Sequence, residues 1–350
     1  MSSQTSTTQK PYNRLAILPK LDGLGGPSSF QSKLIKGLSK RGIQTDFNPL
    51  SGDANTLLVV GGTKQLHTIW RARKKGIRVV QRLNGMNWIH TKKNTGIKHY
   101  LRSEYGNMIL STIRKHLADA IVYQSQFARS WWQTAYGRSN VEANVIYNGV
   151  DLDEYTPSGP HDRPDDHIRV LLVEGHLGEG NESGLMNAIQ LVEQLKQRLA
   201  QPVELMVAGK VPQKIIEKTS SQTDIWINWA GVIPRNEIPK LDRSAHLLFS
   251  ADLNAACPNS VIEALACGLP VVAYSTGSLP EILQNDAGRT TPYGSNYWEL
   301  EPPDVSLLVE DALEILNNLE HFQRQARKQA ENLFSLDFMV DEYLKALFPS

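Results

Sequence analysis

Acidic side chains are nearly missing from the first 150 of the 350 residues, which hold 6 Asp+Glu against 22 Lys+Arg. The remainder reverses the balance, 30 against 15, so a formal net charge of +1 conceals halves of +16 and −15. Such halves predict two domains with different partners, or two domains that attract each other across a cleft. Cysteine is scarce: Cys257 and Cys267 are the only two, and both fall in one apolar segment. That excludes a disulfide framework and reads as buried small residues of a reducing compartment. No apolar run approaches the roughly 20 residues of a membrane span. No apolar stretch follows the Ser/Thr/Gln-rich start, so no secretory signal is expected. The expected location is cytoplasmic, with residues 1–12 disordered. Walker A, HExxH, CxxC and GxSxG motifs are absent.

What is present alternates. Runs beginning at Arg14, Asn55, Ile77, Ala120 and Asn144 read as short buried strands. Ser28–Arg41 has helical apolar spacing, with Gly42 just past its end. A second set of strand-like runs starts at Ile168, Val203, Trp226, Ala245 and Pro270. Between the sets, Tyr155-TPSGPHDRPDDH has a linker composition. The pattern predicts an α/β chain with two doubly wound parallel sheets, and ligands at the carboxyl ends of the strands.

The segment from Cys257 to Leu283 concentrates the chemistry. Asn259 reads as the N-cap of a helix starting near Ser260, whose free N–H groups suit an anion. Glu263 follows among Val261, Ile262, Ala264 and Leu265, and a carboxylate in such company needs a partner. Sugar hydroxyls would serve. Gly268 and Pro270 end the helix, a strand begins at Val271, and Glu281 opens another helix. Either glutamate can also be read as complementing a helix dipole.

The stretch Glu263-Ala-Leu-Ala-Cys-Gly-Leu-Pro-Val-Val-Ala273, with Gly277-Ser-Leu-Pro-Glu281-Ile, closely resembles the donor-site signature of the GT-B glycosyltransferases of retaining family 4 (glycosyl transferases group 1). Val145-Ile-Tyr-Asn-Gly-Val-Asp and the Gly25-Gly26 loop resemble two further stretches of that family. The resemblance implies a GT-B fold: two Rossmann-like domains face a cleft, and a C-terminal helix crosses back to the first. The implied boundaries are 13–152, a linker at 153–167, 168–332 and a crossover helix at 333–350. Glu263 would bind the ribose of a nucleotide sugar. The backbone of Asn259, Ser260 and Val261 would meet its diphosphate. Gly25 and Gly26 would form the N-terminal glycine loop, and Ile233 would lie near the donor base. Glu281 would support the site. A hexosyltransferase-type, metal-independent reaction is implied, with no cofactor beyond the nucleotide diphosphate sugar as substrate.

The sequence also departs from that family. Ala255 stands where the first glutamate of the signature belongs, with Asp252 and Asn254 nearby. His176 stands in place of the arginine of the diphosphate clamp, in a loop that carries Glu174, Glu179 and Glu182. Lys210 or Arg235 would then supply the positive charge. In the first domain Asn84 occupies the place of a usual histidine, so Arg82 and Asn84 become, with His176, the candidate catalytic side chains. No nucleophile is evident. Front-face displacement, with the leaving phosphate assisting deprotonation of the acceptor, is what the resemblance implies. A GT-B-like binding protein that has lost its clamp explains Ala255, His176 and Asn84 together. Nothing resembles a nucleic-acid reading motif, and no nucleic-acid partner is expected. Lys64–Lys115 holds thirteen Lys+Arg and the single acid Glu104, with aromatics interleaved and helical spacing from about Gly96 to His116. This stretch could touch an anionic membrane or line the acceptor side of the cleft.

Overall fold

The computed structural model describes residues 14–23, 25–178 and 182–349, and the side chain of His176 lies outside what is described. The expectation of a disordered N-terminus therefore lies outside the described residues.

The first domain is a six-stranded parallel sheet in the order β2-β1-β3-β4-β5-β6. Its strands are β1 (Arg14–Leu18), β2 (Gln44–Asp46), β3 (Thr56–Val60), β4 (Arg78–Leu83), β5 (Ala120–Tyr123) and β6 (Glu142–Val145). Its helices are α1 (Gly26–Lys40), α2 (Leu66–Lys74), α3 (Ile97–Thr112) and α4 (Gln126–Tyr136). Along β1, Leu15 and Ile17 face one apolar core while Ala16 and Leu18 face another, so both faces of the sheet are covered. The second domain repeats the plan in the order β12-β11-β10-β7-β8-β9. Its strands are β7 (Ile168–His176), β8 (Val203–Lys210), β9 (Trp226–Gly231), β10 (Leu247–Ser250), β11 (Val271–Tyr274) and β12 (Gly288–Thr291). Its helices are α5 (Ser183–Arg198), α6 (Gln213–Gln222), α7 (Ile238–Arg243), α8 (Asn259–Ala266), α9 (Leu279–Ile282), α10 (Val305–Asn317) and α11 (Leu319–Leu333). β2 and β12 were not anticipated, and α1 begins two residues earlier than its apolar spacing suggests.

The last helix, α12 (Leu336–Leu347), returns to the first domain, where Met339, Val340, Tyr343 and Leu347 join its core. The two chain crossings hold each other. Val150 donates its N–H to Phe334 O at 2.8 Å, and Leu336 donates to Val150 O at 2.9 Å. Gly149 is required there, because a Cβ would come within 2.9 Å of the Leu336 backbone.

Candidate active site

The carboxyl ends of both sheets open onto one cleft of about 570 Å3 between the domains. From the first domain come Gly25, Gly26, Ser29, Arg82, Asn84, Gly85, Gln124 and Asn148. From the second come Glu174, Lys210, Ile233, Arg235, Asp252, Ala255, Asn259, Ser260 and Glu263. Each doubly wound sheet puts its strand ends and helix starts on one side, and the cross-domain contacts set those two sides facing each other.

Helix α8 starts at the cleft. Its N-cap is Pro258, not Asn259, which is the first helical residue and caps nothing with its side chain. Instead, Asn259 Oδ1 accepts from Asn148 Nδ2 at 3.1 Å, and Asn148 Nδ2 also donates to Cys257 O at 2.9 Å. The helix start has no side-chain cap because Pro258 carries no acceptor, and the Asn259 side chain reaches the facing domain. Ser260 lines the cleft, whereas Val261 is fully buried in the core. Glu263 lines the cleft and is half-buried, but its carboxylate is not empty-handed. Lys33 Nζ, from α1 of the first domain, lies 2.7 Å from Glu263 Oε1. The same ammonium lies over the Tyr155 ring, 5.6 Å from its centroid.

Arg82 sits at the end of β4, 1% exposed, with its guanidinium 3.8 Å from the centre of the Phe30 ring. It donates to Asn84 Oδ1 at 2.7 Å and to Asn148 Oδ1 at 2.8 Å, and its Nε has no partner among the described residues. Burial pulls its pKa below the ordinary arginine value. Arg82 thus forms the floor of the cleft and orients the two asparagines. Asn84 is held twice, because Gln124 Nε2 also donates to its Oδ1 at 3.0 Å.

At the second domain's strand ends the charge is of the wrong sign for a diphosphate. β7 bulges between Val173 and His176, and Glu174 turns into the cleft there. Gly209 makes this close approach possible, since a Cβ would lie 1.8 Å from Glu174 O. Burial, then repulsion from Asp252, raises the Glu174 pKa well above the usual carboxylate range. Burial raises Asp252 as well. Lys210, exposed at the end of β8, and Arg235 are the cations on this side. Arg235 Nη2 donates across the cleft to Gly23 O at 2.9 Å. His176 pairs with Lys210 through the strand register, and its side chain and Glu179 lie outside the described residues.

Glu281 is outside the cleft. It accepts from the backbone of Gln126 at 2.9 Å, from that of Phe127, and from the Tyr147 hydroxyl at 2.8 Å. It therefore caps α4 of the opposite domain, and what it supports is the domain contact, not its own loop. Among the described residues no group of three or more His, Cys, Asp or Glu is placed to hold a metal. The chain has one Asp-x-Asp triplet, Asp151-Leu-Asp153. Asp151 is tied to Lys36 at 3.0 Å and does not line the cleft.

Sequence reasoning missed Lys33, Tyr155, Gln124 and the cross-domain role of Asn148. No local signal marks Lys33, whose partner lies 230 residues away. Asn148 lay within a recognised stretch, next to Gly149, and its side-chain type was the available clue.

Residues 170–332 match the family described as glycosyl transferases group 1. A phosphatidylinositol N-acetylglucosaminyltransferase subunit of Arabidopsis thaliana is 25% identical over 185 residues, 51% of this chain and 38% of that one. The match thus spans little more than a third of that relative. A sucrose-phosphate synthase from Thermosynechococcus elongatus superimposes with a TM-score of 0.71 at 14% identity, covering 95% of this chain and 97% of the other. The Anabaena protein HepE, solved with UDP and glucose, gives a TM-score of 0.70 at 16% identity, over 96% and 99% of the two chains. The chain has the GT-B fold, and its second domain is similar to the glycosyl transferases group 1.

Proposed function

We propose that the protein transfers a sugar, of hexose type, from a nucleoside diphosphate donor to an acceptor held against the first domain, with retention at the anomeric carbon. The observation that carries this reading is the start of α8, with Ser260 and Glu263 facing the Gly25-Gly26 loop across the cleft. The helix start offers backbone N–H groups to the diphosphate, and the second oxygen of Glu263 remains to accept from ribose hydroxyls. The bond from the anomeric carbon to the diphosphate breaks as the bond to the acceptor oxygen forms, and the acceptor proton passes to the leaving phosphate. The chain's own part is positioning by Asn84, Gln124 and Asn148, with charge stabilisation by Lys210 and Arg235 and no metal.

A second reading is a sugar-nucleotide binder without turnover. Ala255 in place of a carboxylate, and Glu174 with Asp252 beside the phosphate position, favour it. One experiment separates the two. The purified chain is titrated with UDP and then incubated with a panel of nucleotide sugars while donor hydrolysis and transfer are followed by mass spectrometry. Turnover supports transfer, binding without turnover supports the second reading, and failure of every nucleotide to bind ends both.

A further inference from the structure

One helix of the first domain carries an apolar stripe on its outer face. α3 buries Ser103, Asn107, Ile109 and Leu110, while its outward stripe is Ile97, Leu101, Tyr105 and Met108, spaced four, four and three apart. Those four are 71, 60, 46 and 54% exposed, and Tyr100 beside them is 42% exposed. A soluble surface helix ordinarily turns such a stripe towards the core. The stripe runs from Ile97 to Met108 and is flanked by cations. Lys98 and Arg102 are exposed and make no ion pair among the described residues. Lys64 lies over the Tyr105 ring, 5.9 Å from its centroid. The helix's one acid, Glu104, is engaged by His90 at 2.6 Å.

We propose that this face of α3 docks on an anionic lipid bilayer, with the helix lying flat in the headgroup region. The apolar stripe supplies the insertion and the flanking cations the attraction to lipid charge. A second copy of this chain is the poorer occupant: a two-fold contact would set the same basic face against itself, in a half of the chain, residues 1–150, whose balance is already +16. No helix among the described residues is long and apolar enough to cross a membrane, so the contact is peripheral. Docking also places the cleft. Asn107 accepts from the Asn87 backbone at 3.0 Å and donates to Asn87 O at 2.8 Å. The loop so fixed to α3 includes Asn84 and Gly85, which line the cleft. An acceptor carried by a lipid would meet the cleft at the headgroup level. The docking surface itself stands whether or not the cleft transfers sugar.

The test uses the full chain and sedimentation with vesicles of phosphatidylcholine, alone or mixed with phosphatidylglycerol. The expected result is at least tenfold stronger partition to the anionic vesicles at low salt, with release at high salt as the attraction is screened. A triple variant, Ile97→Ser/Leu101→Ser/Met108→Ser, should lose at least tenfold with its charge intact. Lys98→Ala and Arg102→Ala should each cost about fivefold, from roughly one lipid–cation contact apiece. Circular dichroism and melting temperature confirm that the exposed substitutions leave the fold in place. Three outcomes overturn the proposal: the parent stays in the supernatant with anionic vesicles at low salt; the triple variant sediments as well as the parent; or the parent dimerises through α3 and the triple variant is monomeric without either binding lipid.

Discussion

Lys33 and Glu263 belong to different domains, yet their charged atoms lie 2.7 Å apart at the wall of the cleft. Both side chains are largely shielded, 16 and 13% exposed, so the pair is more than a surface contact. It ties α1 to α8 and leaves one carboxylate oxygen of Glu263 for a ligand. Replacing Glu263 by alanine should therefore remove up to two charge-assisted hydrogen bonds to ribose, each worth roughly 1.5–3 kcal/mol. UDP affinity measured by calorimetry should fall well over tenfold. Lys33→Met keeps the carboxylate and should cost far less affinity, while small-angle scattering reports a more open chain. An unchanged affinity in Glu263→Ala would remove Glu263 from the ligand site.

The domain contact has a second tie at Glu281. Its carboxylate satisfies two of the free N–H groups at the start of α4 and accepts from Tyr147, whose ionisation is pushed up by burial and then by Glu281 itself. Glu281→Ala should cost about 1 kcal/mol in denaturant unfolding, the order for losing a helix cap whose donors are exposed or half-buried. Tyr147→Phe, which removes one bond and leaves the helix capped, should cost about half as much. Equal stability of Glu281→Ala and the parent would show that water replaces the tie.

How much of this was legible beforehand follows from the range of each interaction. The buried strands announced themselves because both faces of a covered parallel sheet demand unbroken apolar runs, as in Leu57-Leu-Val-Val60. β2 and β12 did not: Gln44-Thr-Asp46 and Gly288-Arg-Thr-Thr291 are short, polar edge strands. The helix at Ile97–Thr112 was anticipated by its spacing, but not the face it would turn inward, which only packing against the sheet decides. At the site, Glu263 and the glycine loop were visible as local patterns. The helix starts one residue before the expected cap, so Asn259 is its first residue, and its side chain is engaged by Asn148 from the other domain, a contact that leaves no mark in adjacent residues.

The two thiols give a compact check on the core. Burial pushes the Cys257 thiol up to about 12, and Cys267 is raised as well. Thiolate is the reactive form, so neither should react with iodoacetamide at pH 8 in the folded protein. Both should react in urea, as intact mass would record. Fast labelling of one thiol without denaturant would mean that the α8 region opens locally.

His246 predicts an acid weakness. Its Nδ1 accepts from the Arg169 backbone at 3.0 Å, which requires the unprotonated ring. Burial, with Arg163, His167 and Arg169 adding repulsion, lowers its pKa from 6.5 to about 4. The unfolded chain then binds the proton first, so the stability contributed is full above about pH 6.5 and is lost as pH falls towards 4. The loss should be on the order of 2 kcal/mol. His246→Gln should flatten that part of the stability profile. A parent profile already flat between pH 6.5 and 4 would place the proton elsewhere.

Glu174 sets the sign of the last pH dependence. Its raised pKa means that the carboxyl is neutral further up the pH scale than an ordinary glutamate, and its ionisation adds negative charge beside the place for a diphosphate. UDP affinity should therefore weaken as pH rises through that ionisation. A unit charge about 8 Å from a phosphate costs about 2 kcal/mol at an effective dielectric near 20, or some tenfold or more in affinity. Glu174→Gln keeps the shape and removes the charge, so it should bind UDP more tightly at high pH and lose most of the pH dependence. A protonated His176 holding the phosphate would give the same sign, with affinity lost as the imidazole deprotonates. The two are separable by calorimetry over pH 5–9. If Glu174→Gln keeps the full slope and His176→Gln abolishes it, the histidine carries the effect and Glu174 faces away from the ligand. If both variants keep the slope, neither residue meets the diphosphate, and Lys210 and Arg235 are left as the cations to test.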